Sequence, residues 1–323
     1  DFLAAAPWRR VIILLAGPLV NLVFAVLVLG LIAMIGYSIQ TFPNRIVLAS
    51  DFGSTEGPAT EAGLETGDVV TRIGNRNVET FRDIQTIIGQ SAQQQLDLSY
   101  RRDGSVNSTT LTPELDVQTG AGRIGVYPWV DPVVSSVSPG TSADLAGLQP
   151  GDRIVEVGGA ATPHSLAVQQ ALQEAGSAAV ELRVERDGEL RTLTAVPDSS
   201  ESGQVALGVS WETLDLRSPR FGLLGGLVEG LRQSFETLAL TVRGIGLLFA
   251  GVDLNQALMG PVRITYMVGE IATTSAEAGF GRALLSFFNF LSLISVTLFF
   301  MNLLPIPVLD GGQIVITLVE MLL

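Results

Sequence analysis

The sequence predicts a polytopic α-helical membrane protein with two copies of a small α+β domain inserted between its membrane segments. Three observations predict it: two long charge-free apolar stretches, an acidic block between them, and a repeat inside that block.

Val11 to Asn44 and Ala283 to Leu309 contain no charged residue. About 20 apolar residues cross a bilayer as a helix, so both stretches are long enough. Arg9 and Arg10 precede the first and favour a cytoplasmic start, with the chain crossing outward by about Tyr37. The second stretch would bring it back. Residues 51–219 hold 24 of the 32 acids and 11 of the 19 basic residues, all arginine, and carry the whole net charge of −13. That acidic block is expected on the extracytoplasmic side. It repels phosphate backbones, which excludes nucleic acid as a partner. With no cysteine, disulfides and thiolate metal sites are excluded too.

The repeat is carried by two anchors. Ala62-Gly63-Leu64-Glu65-Thr66-Gly67-Asp68-Val69-Val70 aligns with Ala146-Gly147-Leu148-Gln149-Pro150-Gly151-Asp152-Arg153-Ile154, and Arg102-Asp103-Gly104 with Arg186-Asp187-Gly188, both at an offset of 84. A unit of that length is one small domain present twice. In the second copy the pattern predicts strands at Val133–Val137, Arg153–Val157 and Ala179–Glu185. It also predicts a helical turn at Ala143–Leu148, a helix over Ser165–Ala175 closed by Gly176, and a hairpin turn at Asp187-Gly188. The first copy repeats the plan, with helix at Phe81–Ile88 and strand at Leu96–Arg101.

The expected organisation is a membrane span in 1–44, the two copies in 45–115 and 121–198, a linker with interfacial helices in 199–281, and a final span in 282–323. Within the linker, Glu229, Arg232, Glu236 and Arg243 interrupt an apolar stretch, which predicts an amphipathic helix at the membrane interface rather than a span. Gly222, Gly226 and Gly230, four apart, could form a close packing face.

The sharpest local signal is Asn302-Leu303-Leu304-Pro305-Ile306-Pro307-Val308-Leu309-Asp310-Gly311-Gly312. A carboxylate at bilayer depth costs about 2.5–3.5 kcal/mol unless it is paired, protonated or bound to a cation. Pro305 and Pro307 break the helix before it, and Gly311 and Gly312 after it permit tight backbone approach. Broken helices of this kind build ion sites inside membrane proteins. A plainer reading makes Asp310 a cap at the interface, but apolar residues resume after Gln313.

The A-G-L-x-x-G-D-x-I/V element resembles the PDZ fold. N-x-x-P-x-P-x-L-D-G-G resembles the signature of the site-2 protease family of intramembrane zinc metalloproteases. Ala16-Gly17-Pro18-Leu19-Val20-Asn21 and Gly260-Pro261-Val262 resemble further segments of that family, and the element order resembles its RseP-type bacterial branch with tandem PDZ domains. The resemblance implies a multi-pass protein of the bacterial inner membrane. It would cleave single-span membrane proteins within the lipid bilayer in regulated intramembrane proteolysis, with PDZ domains gating access. It makes Asp310 a zinc ligand, Asn302 a residue that positions the substrate backbone, and Pro305, Pro307, Gly311 and Gly312 the substrate-binding break, with the glycine pair giving it freedom to make room. Asn21 is expected to pack between helices.

One departure is large. The family's H-E-x-x-H, which supplies two histidine ligands and the general base, has no counterpart here. His164 is the only histidine, and Ser165 and Leu166 follow it. Either the sequence is a fragment whose H-E-x-x-H lies upstream or it is an inactive relative; because it opens on Asp1 and stops within an apolar run at Leu323, we expect the fragment. His164 falls at the start of a domain helix, where it either selects a peptide hydroxyl or serves as a solvated or capping residue. Gly122, Arg123, Ile124 and Gly125 could present amides to a peptide ligand in β-augmentation. The alternative is that the domains act by bulk. A membrane-anchored PDZ scaffold or secretion component without catalysis is the rival function; it leaves the embedded Asp310 unexplained.

Overall fold

The computed structural model describes residues 6–116, 119–199, 205–249 and 280–322. They divide into two units, one drawing on Asp1–Ile39 and Arg217–Leu323, the other on Gln40–Asp116 and Ala121–Leu216. The chain enters through α1 (Pro7–Ile35), with proline at its start, where the missing N–H costs nothing. Gly36, at φ 74°, ends it and returns its N–H to the Ile32 carbonyl at 3.0 Å. Twenty-nine residues rising 1.5 Å each give about 44 Å, enough to cross a bilayer. Ile12, Ile13, Val20, Leu27 and Leu31 lie exposed along it, an apolar face suited to lipid.

The second unit holds the repeat as a repeated structure. The first copy comprises β1 (Ile46–Leu48), β2 (Val69–Ile73), β3 (Arg76–Asn77), α2 (Phe81–Gly89), β4 (Leu96–Arg102), β5 (Ser105–Leu111) and β6 (Val126–Pro128). The second comprises β7 (Val134–Val137), β8 (Arg153–Val157), β9 (Ala160–Ala161), α3 (Ser165–Ala175), β10 (Val180–Arg186), β11 (Glu189–Ala195) and β12 (Val209–Trp211). Four strands make an antiparallel sheet in each, ordered β3-β2-β4-β5 and β9-β8-β10-β11, while β1 pairs β6 and β7 pairs β12. The offset of 84 runs into the cores: Leu64, Val70 and Leu98 in one match Leu148, Ile154 and Leu182 in the other, all buried. Asp103-Gly104 and Asp187-Gly188 take positive φ at both positions, as a two-residue hairpin turn matching strand twist requires.

The boundary differs from the sequence expectation. Residues 121–128, expected at the head of the second copy, close the first one. Gly122–Arg123 pairs with Glu114–Leu115, and β6 pairs with β1. The counterpart in the second copy is Leu207-Gly208-Val209, where Gly208 repeats the positive φ of Gly125. Each copy's last strand therefore completes its first.

The two sequence anchors meet in space. Arg102 donates to both oxygens of Asp68, at 2.8 and 2.7 Å, and to the Gly63 carbonyl at 2.9 Å. Arg186 does the same to Asp152, at 2.6 and 2.7 Å, and to the Gly147 carbonyl at 2.8 Å. Both aspartates are buried, 1% and 0% exposed, and each also accepts a backbone N–H, from Glu65 or Gln149. Burial pushes the Asp152 carboxyl up, but the Arg186 guanidinium and the Gln149 N–H outweigh it and leave the group below its usual 3.8.

The chain then forms α4 (Leu223–Phe249), α5 (Phe280–Leu303) and α6 (Asp310–Leu322). On α4, Glu229, Arg232 and Glu236 neutralise one another along one face. Two of the three spaced glycines pack. A Cβ on Gly226 would lie 2.9 Å from the Gly30 carbonyl of α1, and one on Gly230 would lie 2.6 Å from the Gly30 nitrogen. The two backbones touch, as small residues allow in membrane helices. Among the described residues, α1 and Ala283–Leu303 within α5 are long and apolar enough to cross a membrane.

Candidate functional site

Leu303 is the last residue of α5 because Pro305 restricts Leu304 before it and removes the N–H that would continue the ladder. Irregular turns bridge the break. The Leu304 N–H reaches the Met301 carbonyl at 3.2 Å, Ile306 reaches Leu304 at 2.7 Å, and Leu309 reaches Ile306 at 2.8 Å. Helix then resumes, the Gln313 N–H donating to the Leu309 carbonyl at 3.2 Å.

Asp310 is thus the first residue of α6, where the helix dipole favours a negative charge. It is half-buried, and its carboxylate makes no hydrogen bond or ion pair with any described residue. Its Oδ2 lies 3.9 Å from where a Cβ on Gly17 of α1 would stand. A methyl there would just reach van der Waals contact with the carboxylate, and Asn21, one helical turn on, shares the face. At its far end α6 is tied to α1 by Arg10 and Glu320, 2.9 Å apart.

The glycine pair does something other than confer freedom. A Cβ on Gly311 would fall 2.5 Å from the Leu304 oxygen, and one on Gly312 would fall 2.7 Å from the Pro307 Cα, with carbonyls closer still. Both glycines are buried, packed backbone to backbone against the break that positions Asp310. Pro305 and Pro307 are exposed, while Asn302, in the last turn of α5, is half-buried and hydrogen-bonds through its side chain to no described residue. Gly260-Pro261-Val262 lies outside the described residues.

Among the described residues no three His, Cys, Asp or Glu side chains come together. A catalytic zinc takes three protein ligands, so the described residues do not by themselves make a zinc site. Asp310 offers one oxygen ligand, of a type zinc accepts.

In the other unit, Gly122, Arg123, Ile124 and Gly125 line a cleft of about 460 Å³ between α2 and β6 of the first copy. Apolar Ile84, Ile88 and Val126 line it, as does Ser54–Gly57, and among the described residues β6 pairs with β1 alone. The second copy differs at the same place. Gln169 of α3 donates to the Val205 carbonyl at 2.6 Å, and Gln173 accepts from the Val205 N–H at 3.4 Å. His164 is not solvated: it is 4% exposed and caps α3, its Nδ1 accepting the Ala167 N–H at 3.2 Å. Its neighbours Phe52 and Trp129 lie far away along the chain, so no local pattern reveals them.

Comparison with known proteins identifies the family. The model of Peptidase family M50 matches residues 1–323. A protein of Treponema pallidum that carries the name zinc metalloprotease is 37% identical over 319 residues, covering 98% of this chain and 71% of its own. The regulator of sigma-E protease RseP of Escherichia coli is 29% identical over 330 residues, covering 97% and 70%. The solved PDZ domain of an SdrC-like protein from Listeria monocytogenes covers 26% of this chain and 90% of its own, at 17% identity and a TM-score of 0.24. With the family's pattern spanning every residue and the lone carboxylate set at the helix break, the chain belongs to Peptidase family M50, the site-2 protease family of zinc metalloproteases.

Proposed function

We propose that this chain forms the substrate-facing part of an intramembrane zinc protease that cleaves single-span membrane proteins, with the two repeats acting as PDZ-type gates outside the inner membrane. The observation that carries the reading is Asp310, a carboxylate paired with no described residue and fixed at the start of α6 next to Gly17 of α1. An acid in an apolar helical bundle is costly without a partner, and a metal is the partner that fits its place. In this reading Asp310 supplies one ligand, and the remaining ligands and the general base come from an H-E-x-x-H outside these 323 residues.

The break after Leu303 has a second use. A substrate helix keeps its carbonyls in its own hydrogen bonds and must be unwound before cleavage. Asn302 has a side-chain amide unclaimed by any described residue, and it is suited to hold an unwound substrate strand beside Pro305 and Pro307. The repeats fit a gate. They are acidic and folded on ion-paired frames, and the first has a cleft beside β6, a strand that an extended peptide could pair with.

Asp310→Asn keeps the size and polarity of the side chain and removes its charge. In the full-length protein, cleavage of a single-span substrate should fall by more than about 100-fold, since even residues behind metal ligands cost about 10–100-fold. Wild-type turnover by that variant would refute the assignment.

A further inference from the structure

His164 sits where the two repeats meet. Its ring lies edge-on to Trp129, centroids 4.7 Å apart, and to Phe52 at 5.6 Å. Both aromatic residues belong to the first repeat, and His164 belongs to the second. Trp129 is gripped in turn, with the Arg45 guanidinium 3.4 Å from its ring centroid and its Nε1–H donated to Asp131 at 3.1 Å. The neighbouring Ser165 N–H docks on the Val130 carbonyl at 2.8 Å. The two aromatics also adjoin, along the chain, segments that line the first repeat's cleft. Trp129 follows β6, and Phe52 lies in the segment whose Ala49 and Ser54–Gly57 line it.

We propose that His164 is a proton-operated latch between the repeats: neutral, it holds them as one block and braces the segments that line the first cleft; protonated, it withdraws and lets them part. Three features of the site make the cation unwelcome. The Nδ1 atom is the acceptor that caps α3, and a protonated nitrogen cannot accept. The ring is buried between aromatic groups, where a charge loses its water. Arg45 already places a positive charge against the same indole. The charged groups around the site are Arg45, Asp51, Asp131 and Arg153, which pairs Asp131 at 3.7 Å. Asp51, engaged by the Thr66 hydroxyl, favours the cation, but burial and Arg45 outweigh it and hold the imidazole below its usual 6.5. The sign follows: the docked state is fully favoured above the ordinary imidazole value and is lost as pH falls through the lowered one. A compartment open to external pH would cross that range. The effect on proteolysis rests on the gate reading above; the latch itself does not.

The test uses the full chain, which has no cysteine of its own. Spin labels on cysteines at Ser105 and Glu189, exposed ends of β5 and β11, place one probe on each repeat. Distances between them are measured at about pH 8 and about pH 5, values bracketing ordinary histidine titration. The wild-type sequence should give one narrow distribution at the higher pH and a second, longer population at the lower. His164→Asn keeps a good helix cap and His164→Phe keeps a ring in the slot. Neither can gain the proton, so each should give the same distribution at both values. An unchanged wild-type distribution overturns the latch, and so do variants that shift as far as the wild type. Substrate cleavage over the same range tests the gate separately, so a latch that moves without altering cleavage leaves the proposal standing and removes only its consequence.

Discussion

Two kinds of carboxylate separate the repeat unit from the helical unit. Asp68 and Asp152 are buried, yet each is clasped by both arms of an arginine fork and by a backbone N–H. Asp310 is half-buried and unclaimed by any described residue. The first kind is structural, because the fold satisfies it completely. The second kind is costly to the fold and is therefore where an external partner belongs. Partner count, more than burial, separates the satisfied acids from the one proposed as a metal ligand.

That contrast predicts opposite responses to the same chemical change. Asp310→Asn should remove cleavage and leave unfolding of the repeats unchanged. Arg186→Ala should do the reverse at Asp152, leaving a buried charge unpaired at a cost of about 3–5 kcal/mol, read from denaturant unfolding of the second repeat. The loss has a pH signature. Because Asp152 titrates below 3.8 in the fold, the wild-type pair stabilises above that value and its benefit disappears as pH falls through the lowered one. The gap between wild type and Arg186→Ala should therefore narrow in acid. A gap that stays constant from neutral pH to strong acid would place the stabilisation elsewhere.

The units also differ in how they pack. The repeats fill their cores with branched side chains, whereas α1 and α4 bring their backbones together at Gly30, Gly226 and Gly230, with the Met34 side chain packed against Gly226. Gly230→Leu should push the two helices apart and lower stability by about 1–3 kcal/mol, seen as a fall in thermal unfolding temperature of the detergent-solubilised protein. No change would mean that the helices do not rely on this contact. The smallest effect is expected at Gln169, whose bond to the Val205 carbonyl bridges the second repeat where the first has its cleft. Gln169→Ala should cost about 1 kcal/mol and speed amide exchange around β12 without affecting β6. Equal acceleration in both repeats would erase the distinction between an open and a bridged cleft.

Much of this was legible in the sequence. The strand at Arg153–Val157 and the helix at Ser165–Ala175 lie where residue patterns place them, because alternation and capping are local. The break at Pro305 and the placement of Asp310 just past it were legible for the same reason. What escaped is what depends on contacts between distant segments. Nothing local shows that Arg186 reaches Asp152, although the constant offset hinted that the anchors belong together. Residues 121–128 were assigned to the wrong copy because I-G-V against L-G-V is too short a match to reveal a returning strand. Gly311 and Gly312 suggested freedom, whereas their neighbours make them the only residue type that fits. His164 invited a binding role because its aromatic partners come from another domain.

The central claim is that Asp310 holds a metal. Zinc content of the full-length protein, measured by mass spectrometry after identical purification of wild type and Asp310→Asn, tests it most directly. We predict about one zinc per wild-type chain and at least a tenfold loss in the variant, with both proteins folded. A variant that retains zinc as the wild type does would contradict the account.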